Sequence, residues 1–420
     1  MSINKAKTLP ELLAIAATQY RKNIFCLWRP RFRTLKWTYE ELWNHAVLFA
    51  ETLKKYGVAK GDRVVIISKN SPFWAAAFWG VQLRGAIAVP LAPESSQKLV
   101  EEICRQTNPK VVFRGELAAF QELAGYLVIS LEEFEKPEFS APVGLEVKVL
   151  EEDLAEIVYT SGTTGFPKGV MLTHKNILTN LSAVKKVIKA DQSFKFCSIL
   201  PLFHMFEQQG GLLAPLSVGA QISYAASLNP NHLKRIFQDD SINIMLAVPE
   251  FLRLAEARIK ERAKEQGKLS ALERLLKISE YLPLWLRRKL FRKIHSGFGW
   301  KLHTFVSGGA PLEKEVEGFW EKLGIYVLQG YGLTETSPVL TVNRYRDRKV
   351  ESAGRPLDNV KIKIAKDGEV LAKGTNVFSG YWQAEEKTKE AFDKDGWFKT
   401  GDIGYFDENG HLFLKGRKKD

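Results

Sequence analysis

Short apolar runs rich in β-branched residues alternate with helical patterns through the first three quarters of the chain. The run at 63–68 (Arg-Val-Val-Ile-Ile-Ser) is followed by a helical stretch at 71–83 and a second apolar run at 86–90. Comparable runs stand at 110–113, 126–130, 242–248 and 302–307. Strands that alternate with helices predict parallel sheets with helices on both faces. From about Val339 the helices almost vanish, and short strands follow at close spacing, at 360–365, 369–373, 397–400 and 411–415. Between them Asp367-Gly368, Asp395-Gly396 and Asn409-Gly410 are turn signals. This tail predicts a small antiparallel barrel or sheet. No internal repeat is present.

Two stretches need a reading of their own. The longest uncharged stretch, 208–233, has the length to cross a bilayer, which takes ~20 predominantly apolar residues. It carries Gln208, Gln209, Asn229 and Asn231, and it is broken by Gly210, Gly211, Pro215 and Gly219. It therefore predicts a buried helix, a turn and a strand. The segment 251–301 is helical in pattern, and its basic residues far outnumber its acidic ones. A charge run of this kind reads as a solvated helix pair. The other reading is peripheral contact with an anionic membrane surface through 282–293. There Leu282, Leu284, Trp285, Leu286, Leu290 and Phe291 lie beside Arg287, Arg288, Lys289, Arg292 and Lys293.

Composition narrows the class. The 420 residues are two to three domains' worth of chain at ~150 residues each. With 45% apolar and 26% charged residues, bulk disorder and fibrous low complexity are excluded. The net charge of +13 calls for an anionic partner: a phosphate-rich ligand, nucleic acid or membrane lipid. Cys26, Cys104 and Cys197 lie far apart and form no Cys-x-x-Cys, so neither a disulfide framework nor a zinc site is expected, and a reducing cytoplasm fits. The short apolar run Leu12 to Ala17 reads as an amphipathic helix start and not as a secretory signal.

Six motifs carry chemistry. The sharpest is Tyr159-Thr160-Ser161-Gly162-Thr163-Thr164-Gly165-Phe166-Pro167-Lys168-Gly169. Glycines bring backbone N–H groups close to a ligand, hydroxyls add donors and Lys168 adds a point charge, which is what a polyphosphate cradle needs. It is not a Walker loop, because Gly169 follows the lysine where that motif has Ser or Thr. Second is Gln329-Gly330-Tyr331-Gly332-Leu333-Thr334-Glu335. Its aromatic ring between glycines can lie along a flat base, and Glu335 is a hard oxygen ligand suited to Mg²⁺. Alone it also reads as an aromatic turn capped by Thr334. Third is Val306-Ser307-Gly308-Gly309-Ala310-Pro311, a strand end that could equally be a plain strand–helix loop. Fourth is Pro201-Leu202-Phe203-His204-Met205-Phe206-Glu207, whose histidine alone reads as a core residue. Thr400-Gly401-Asp402 and Lys415-Gly416-Arg417 are weak on their own.

In order and spacing the six resemble the adenylate-forming superfamily, and within it long-chain fatty acyl-CoA synthetases, from about Tyr39 to the last residue. The resemblance implies an α/β fold: two interlocked, helix-covered, mainly parallel β-sheet subdomains plus a small β-barrel-like subdomain. The first sheet is expected over 56–195, the second over 1–55 with 196–338, and the β-rich part over 339–415. In that family a smaller lid domain follows, so 416–420 is expected to be a hinge with Asp420 at its pivot. The chain without its lid would then be poorly active.

Roles follow by position, as what the resemblance implies. Thr160, Ser161, Gly162, Thr163, Thr164 and Gly165 with Lys168 would hold the β- and γ-phosphates of ATP. Glu335 would bind Mg²⁺, with Thr164 assisting, and Thr334 would touch the α-phosphate. Gly309, Ala310 and Pro311 would wall the adenine pocket, and Tyr331, set among Gln329, Gly330 and Gly332, would stack on the base. Asp402 would accept from the ribose hydroxyls, with Arg417 nearby. His204 would sit beside the substrate carboxylate. Phe203, Phe206, Gly210, Gly211 and Gly308 would shape the acyl pocket. The catalytic set is His204, Lys168, Thr334 and Glu335. The implied reaction joins a carboxylate to AMP with loss of pyrophosphate, after which a thiol, usually of coenzyme A, expels AMP.

Relatives that activate amino acids carry an aspartate where His204 stands, so a closed pocket here would leave an α-ammonium unpaired. A medium- to long-chain fatty acid is therefore expected. Coenzyme A or an acyl carrier protein as acceptor, and the oligomeric state (a homodimer included), stay open. Two rivals remain: a lid-less nucleotide- or acyl-binding module without catalysis, and a nucleic-acid binder. The second has only the basic charge behind it, with no zinc spacing, RNP-like aromatic pattern or helix-turn-helix signature.

Overall fold

The computed structural model describes residues 3–30, 33–116, 118–120, 123–134, 141–160 and 166–418. Three sheets organise them. The seven-stranded sheet runs in the order Gly380–Tyr381, Lys168–Thr173, Leu154–Thr160, Ile87–Leu91, Arg63–Ile67, Val111–Arg114, Val128–Ser130. It is parallel from Leu154–Thr160 onward and antiparallel at its first two strands. Ile87–Leu91 is buried throughout, as expected of a parallel strand covered on both faces.

The nine-stranded sheet runs Arg355–Pro356, Val339–Val342, Tyr326–Gly332, Thr304–Ser307, Ile244–Ala247, Lys195–Ser198, Gln221–Tyr224, Ile24–Trp28, Leu35–Thr38. Its centre is parallel and its edges antiparallel. The third sheet is antiparallel and open: Val360–Ile364, Glu369–Gly374, Phe398–Phe406, Leu412–Arg417.

The two large sheets share one core. Helix Pro72–Leu83 is buried along its whole length, so it is apolar all round where a surface helix would show a polar face. It lies against helix Tyr39–Lys55, which starts at a capping box between Thr38 and Glu41. A Cβ on Gly80 would come within 2.4 Å of Phe49 Cβ, so only glycine permits this approach. One cluster of buried side chains joins Val64 and Ile66 of the first sheet to Phe25, Ile222 and Tyr224 of the second.

Several expectations change. The region 339–415 does not form one β-rich unit. Val339–Val342 and Arg355–Pro356 close the nine-stranded sheet beside Tyr326–Gly332, and Gly380–Tyr381 closes the seven-stranded one. The third sheet is the small antiparallel, barrel-like sheet expected of the tail, left open because its first and last strands do not pair. The turn signals hold their places: Gly368 and Gly410 sit at φ +86° and +77°, a region open to glycine.

The stretch 208–233 forms a π-helical turn Gln208–Leu213, a short helix Ala214–Leu216 and strand Gln221–Tyr224, then enters helix Pro230–Asp240. Among the described residues no helix is long and apolar enough to cross a membrane. Cys26, Cys104 and Cys197 are free and buried.

The membrane reading of 282–293 is corrected in detail. Phe291 is buried, and Leu290 packs on the same cluster. Arg287 donates to the carbonyls of Leu282, Glu321 and Glu280 at 2.7, 3.0 and 3.1 Å. Arg288 donates to those of Leu302 and Trp300 at 2.7 and 2.5 Å. These two guanidiniums are tied to backbone carbonyls of this chain, so they are not free to form an outward basic face. What remains outside is Tyr281 (88% exposed) and Trp285 (58%), with Lys289 Nζ 5.1 Å from the Trp285 ring centre, and the exposed Arg292 and Lys293.

Candidate active site

The carboxyl ends of the strands in an open α/β sheet are where ligands bind. Here the ends of both large sheets and the third sheet enclose one cleft of about 830 Å³. Thr160, Lys168, His204, Phe206, Gly210, Gly308, Gly309, Gly330, Tyr331, Gly332, Thr334, Glu335, Thr400 and Arg417 line it, which brings together residues from all six motifs.

The polar half is built from two hairpin-like returns. Strands Leu154–Thr160 and Lys168–Thr173 pair with Thr160 opposite Lys168, and both of these residues line the cleft. Ser161, Gly162, Thr163, Thr164 and Gly165 lie outside the described residues. Lys168 Nζ stands 4.9 Å from the Tyr381 ring centre. The Tyr381 hydroxyl donates to Glu335 Oε1 at 2.8 Å. One aromatic ring thus spans the expected phosphate lysine and the expected metal carboxylate. Burial and the Glu335 charge push the Tyr381 hydroxyl's pKa far upward, so it stays a donor.

Glu335 sits in the 3₁₀ turn Thr334–Thr336, which buried asparagines hold. Asn376 Nδ2 donates to the Thr336 carbonyl at 2.9 Å, and Asn180 Nδ2 to the Val339 carbonyl at 2.7 Å. Thr336 Oγ1 donates to the Pro338 carbonyl at 2.5 Å, and the Phe378 N–H donates to the Glu335 carbonyl at 2.8 Å. The carboxylate is therefore aimed by backbone that has no freedom to drift. Among the described residues no group of three His, Cys, Asp or Glu side chains could cage a metal. A single carboxylate beside a phosphate site fits Mg²⁺, which is bound through one or two carboxylates plus substrate phosphates.

Tyr331 and Asp402, expected at base and ribose separately, are joined to each other. The Tyr331 hydroxyl donates to Asp402 Oδ2 at 2.6 Å, and Arg417 Nε stands 3.1 Å from Oδ1. Burial raises the Asp402 pKa, against the pull of Tyr331 and Arg417. Asp402, Gln329, Ala310, Pro311, Phe203 and Gly211 do not line the cleft. Ala310 and Pro311 are exposed, whereas Gln329 is buried behind the wall. Asp420 lies outside the described residues.

The other half is apolar, walled by Val184, Val187, Phe196, Leu246, Val248 and Val306. Two glycines shape it. A Cβ on Gly210 would come within 2.4 Å of Leu246, and one on Gly308 would lie 3.3 Å from the Phe206 ring. His204 opens to the cleft at the head of this wall, its ring tilted over Phe203 with centres 4.2 Å apart. Set in this concavity, its pKa is lowered by desolvation, so the ring is neutral near pH 7. Glu207, one helical turn on, is fully buried, and desolvation pushes its pKa up to about 8.

Tyr381, Asn180, Asn376, Glu207, Gln209 and Lys399 were not singled out from the sequence. Tyr381 had a usable signal, an aromatic pair following Gly380. The asparagines had none, because what they hold is distant in sequence.

The fold and this cleft define an α/β nucleotide-binding domain of the kind that forms the large N-terminal part of acyl-CoA synthetases. The family described as AMP-binding enzyme matches residues 13–382, and the chain belongs to it. It is 30% identical over 405 residues to long-chain-fatty-acid–CoA ligase FadD15 of Mycobacterium bovis, covering 87% of this chain and 66% of that one. It is 26% identical to the chloroplastic long-chain-fatty-acid–[acyl-carrier-protein] ligase AEE15 of Arabidopsis thaliana, over 99% of this chain and 70% of that one. Among solved structures, the N-terminal domain of FACL13 from Mycobacterium tuberculosis superposes with a TM-score of 0.80 at 24% identity, covering 98% of this chain and 100% of that one. The chain thus spans about two thirds of the length of the curated relatives it matches.

Proposed function

We propose that this chain is the adenylating part of a fatty acid–coenzyme A ligase. It binds ATP with Mg²⁺ and a medium- to long-chain fatty acid, joins the carboxylate to the α-phosphorus and releases pyrophosphate. In the complete enzyme the thiol of coenzyme A then takes the acyl group and AMP leaves. The observation that carries this reading is that one cleft holds Lys168, Tyr381 and Glu335 at one side and a channel of Val187, Phe196, Leu246 and Val306 at the other.

Two anions must meet for the reaction to proceed, so the site has to neutralise charge and hold the partners in line. Lys168 and the loop 161–165 take the β- and γ-phosphates. Glu335 with Thr164 would hold Mg²⁺, which supplies charge neutralisation at the phosphate oxygens when bound. Neutral His204 can donate a hydrogen bond to the carboxylate without pairing it as a charge, which leaves the carboxylate free to attack. Tyr331 lies along the base, and Asp402 with Arg417 meets the ribose once Tyr331 releases its hydrogen bond. An acyl carrier protein is the second candidate acceptor, since the AEE15 relative carries that name and this chain is strongly basic. We keep a peripheral membrane contact in this reading, narrowed to Tyr281, Trp285, Lys289, Arg292 and Lys293.

Calorimetric titration with ATP and Mg²⁺ tests the nucleotide half. Lys168→Ala and Glu335→Ala should weaken binding at least tenfold while their thermal melts stay close to the parent's. Equal binding by parent and variants would dismiss this assignment.

A further inference from the structure

The apolar channel contains a polar patch that adenylation leaves unused. Glu207 and Gln209 both line it. Both are buried, and neither the Glu207 carboxylate oxygens nor the Gln209 amide oxygen and nitrogen have a hydrogen-bond partner among the described residues. Ser198 comes near Glu207 without closing a well-formed bond. Gly211 makes the room this carboxyl occupies, since a Cβ there would lie 2.2 Å from Glu207 Oε1. Gln208 and Glu156, equally buried, approach one another away from the channel lining.

Leaving a buried polar group unpaired is costly, so such groups in a folded protein mark a ligand, a water or a functional site. Two of them in the lining of one substrate channel point to a ligand. Gln209 can both donate and accept, and a carboxyl kept neutral by burial can do the same. Hydrocarbon offers neither partner.

We infer that Glu207 and Gln209 form a subsite for a hydroxyl or oxo group on the acyl chain, so that oxygenated fatty acids are substrates of this cleft. The inference rests on the fatty-acid reading above. Glu207 lies three positions beyond His204, about 4.5 Å at ~1.5 Å per α-helical residue, and Gln209 lies two further on in the π-helical turn, at most about 7.5 Å along the axis. An extended chain advances about 1.2 Å per bond, so the oxygen belongs roughly four to six bonds from the carboxylate.

The test is displacement of a fluorescent fatty acid in the presence of ATP and Mg²⁺. The competitors are hexadecanoic acid and its 5-hydroxy, 5-oxo, 5-amino and 16-hydroxy derivatives. The 5-hydroxy and 5-oxo acids should bind about three- to tenfold tighter than hexadecanoic acid, the range one net hydrogen bond supplies, and the 16-hydroxy acid should gain nothing. Gln209→Leu should bring the 5-hydroxy to plain-acid ratio near one. Its fold is checked by thermal melting, where removing an unpartnered buried amide should be neutral or stabilising. An unchanged ratio in Gln209→Leu overturns the subsite. So does a wild-type protein that prefers neither oxygenated acid, and this holds even if the variant fails to fold. Preference for the 5-amino acid replaces it with an ammonium site. Failure of hexadecanoic acid itself to bind overturns the fatty-acid reading, which is a separate result.

Discussion

Removing one hydroxyl at Tyr381 isolates the link between the lysine and the carboxylate. In Tyr381→Phe the ring stays beside Lys168, and only the 2.8 Å bond to Glu335 Oε1 is lost. A hydrogen bond to a charged group is worth ~1.5–3 kcal/mol. The effect on Mg²⁺ affinity can be bounded separately, because losing a partner that orients a metal ligand costs 10- to 100-fold, or ~1.4–2.7 kcal/mol. The two ranges overlap, so a loss of 10- to 100-fold in Mg²⁺-dependent ATP binding is expected. Tyr381→Leu also removes the cation–π contact, adding ~0.5–1 kcal/mol, which should appear as weaker ATP binding even where Mg²⁺ saturates. The assay is calorimetric titration of ATP at a series of Mg²⁺ concentrations. If Tyr381→Phe shows the parent's Mg²⁺ dependence, the ring is packing only and the reasoning is refuted.

Four further outcomes are expected. Glu207 and Glu156 are buried with pKa values raised to about 8 from 4.5, so the stability their neutral forms confer is complete below about pH 4.5 and is lost as pH rises to 8. Glu207→Gln should gain on the parent by up to about 1.4 kcal/mol per pH unit across that window in denaturant melts, and a pH-independent gap would contradict the shift. His174 works in the opposite sense. Burial holds it neutral, with a pKa of about 4, and its Nδ1 accepts from the Leu9 N–H at 3.2 Å, so the stability it confers is lost as pH falls from 6.5 towards 4. In His174→Gln the acid-side fall in melting temperature should flatten. Asn376→Ala should cost ~1–3 kcal/mol, since it leaves the Thr336 carbonyl only the long 3.5 Å contact from Asn180 Nδ2, and should weaken Mg²⁺-dependent ATP binding as well, and a stability loss without a binding loss would mean that the turn does not aim Glu335. In sedimentation with vesicles rich in anionic lipid, Trp285→Ala should reduce binding, and a protein that never sediments rules out the membrane contact.

What the sequence made legible was local. Alternating runs located the strands and the apolar helix at 72–83, and Asp-Gly and Asn-Gly pairs located turns. Lys168, Tyr331 and Glu335 stood out because each lies among glycines and hydroxylated residues, and the structure puts all three on the lining of one cleft, while Gly332 and Gly169 are also required by close packing against Pro338 and Ile157. What stayed hidden depends on partners far along the chain. Nothing near Val339 or Gly380 tells which sheet edge is free to receive them. Arg287 and Arg288 count as surface charge until the carbonyls they cap are known. Glu207 looks like the polar start of a helix until Gly211 is seen to leave room for its carboxyl in a dry wall. Asp402 was legible as a turn acid, but its bond to Tyr331 joins two motifs 71 positions apart.

The central claim is that one cleft activates a fatty acid with ATP. Acid-dependent exchange of pyrophosphate into ATP reads that step before any thiol is needed. Across a panel of C8 to C18 fatty acids, aryl acids and amino acids, exchange should appear with the C12 to C18 fatty acids and vanish in Lys168→Ala. Exchange driven by aryl or amino acids and not by fatty acids, or its persistence in Lys168→Ala, would contradict the account.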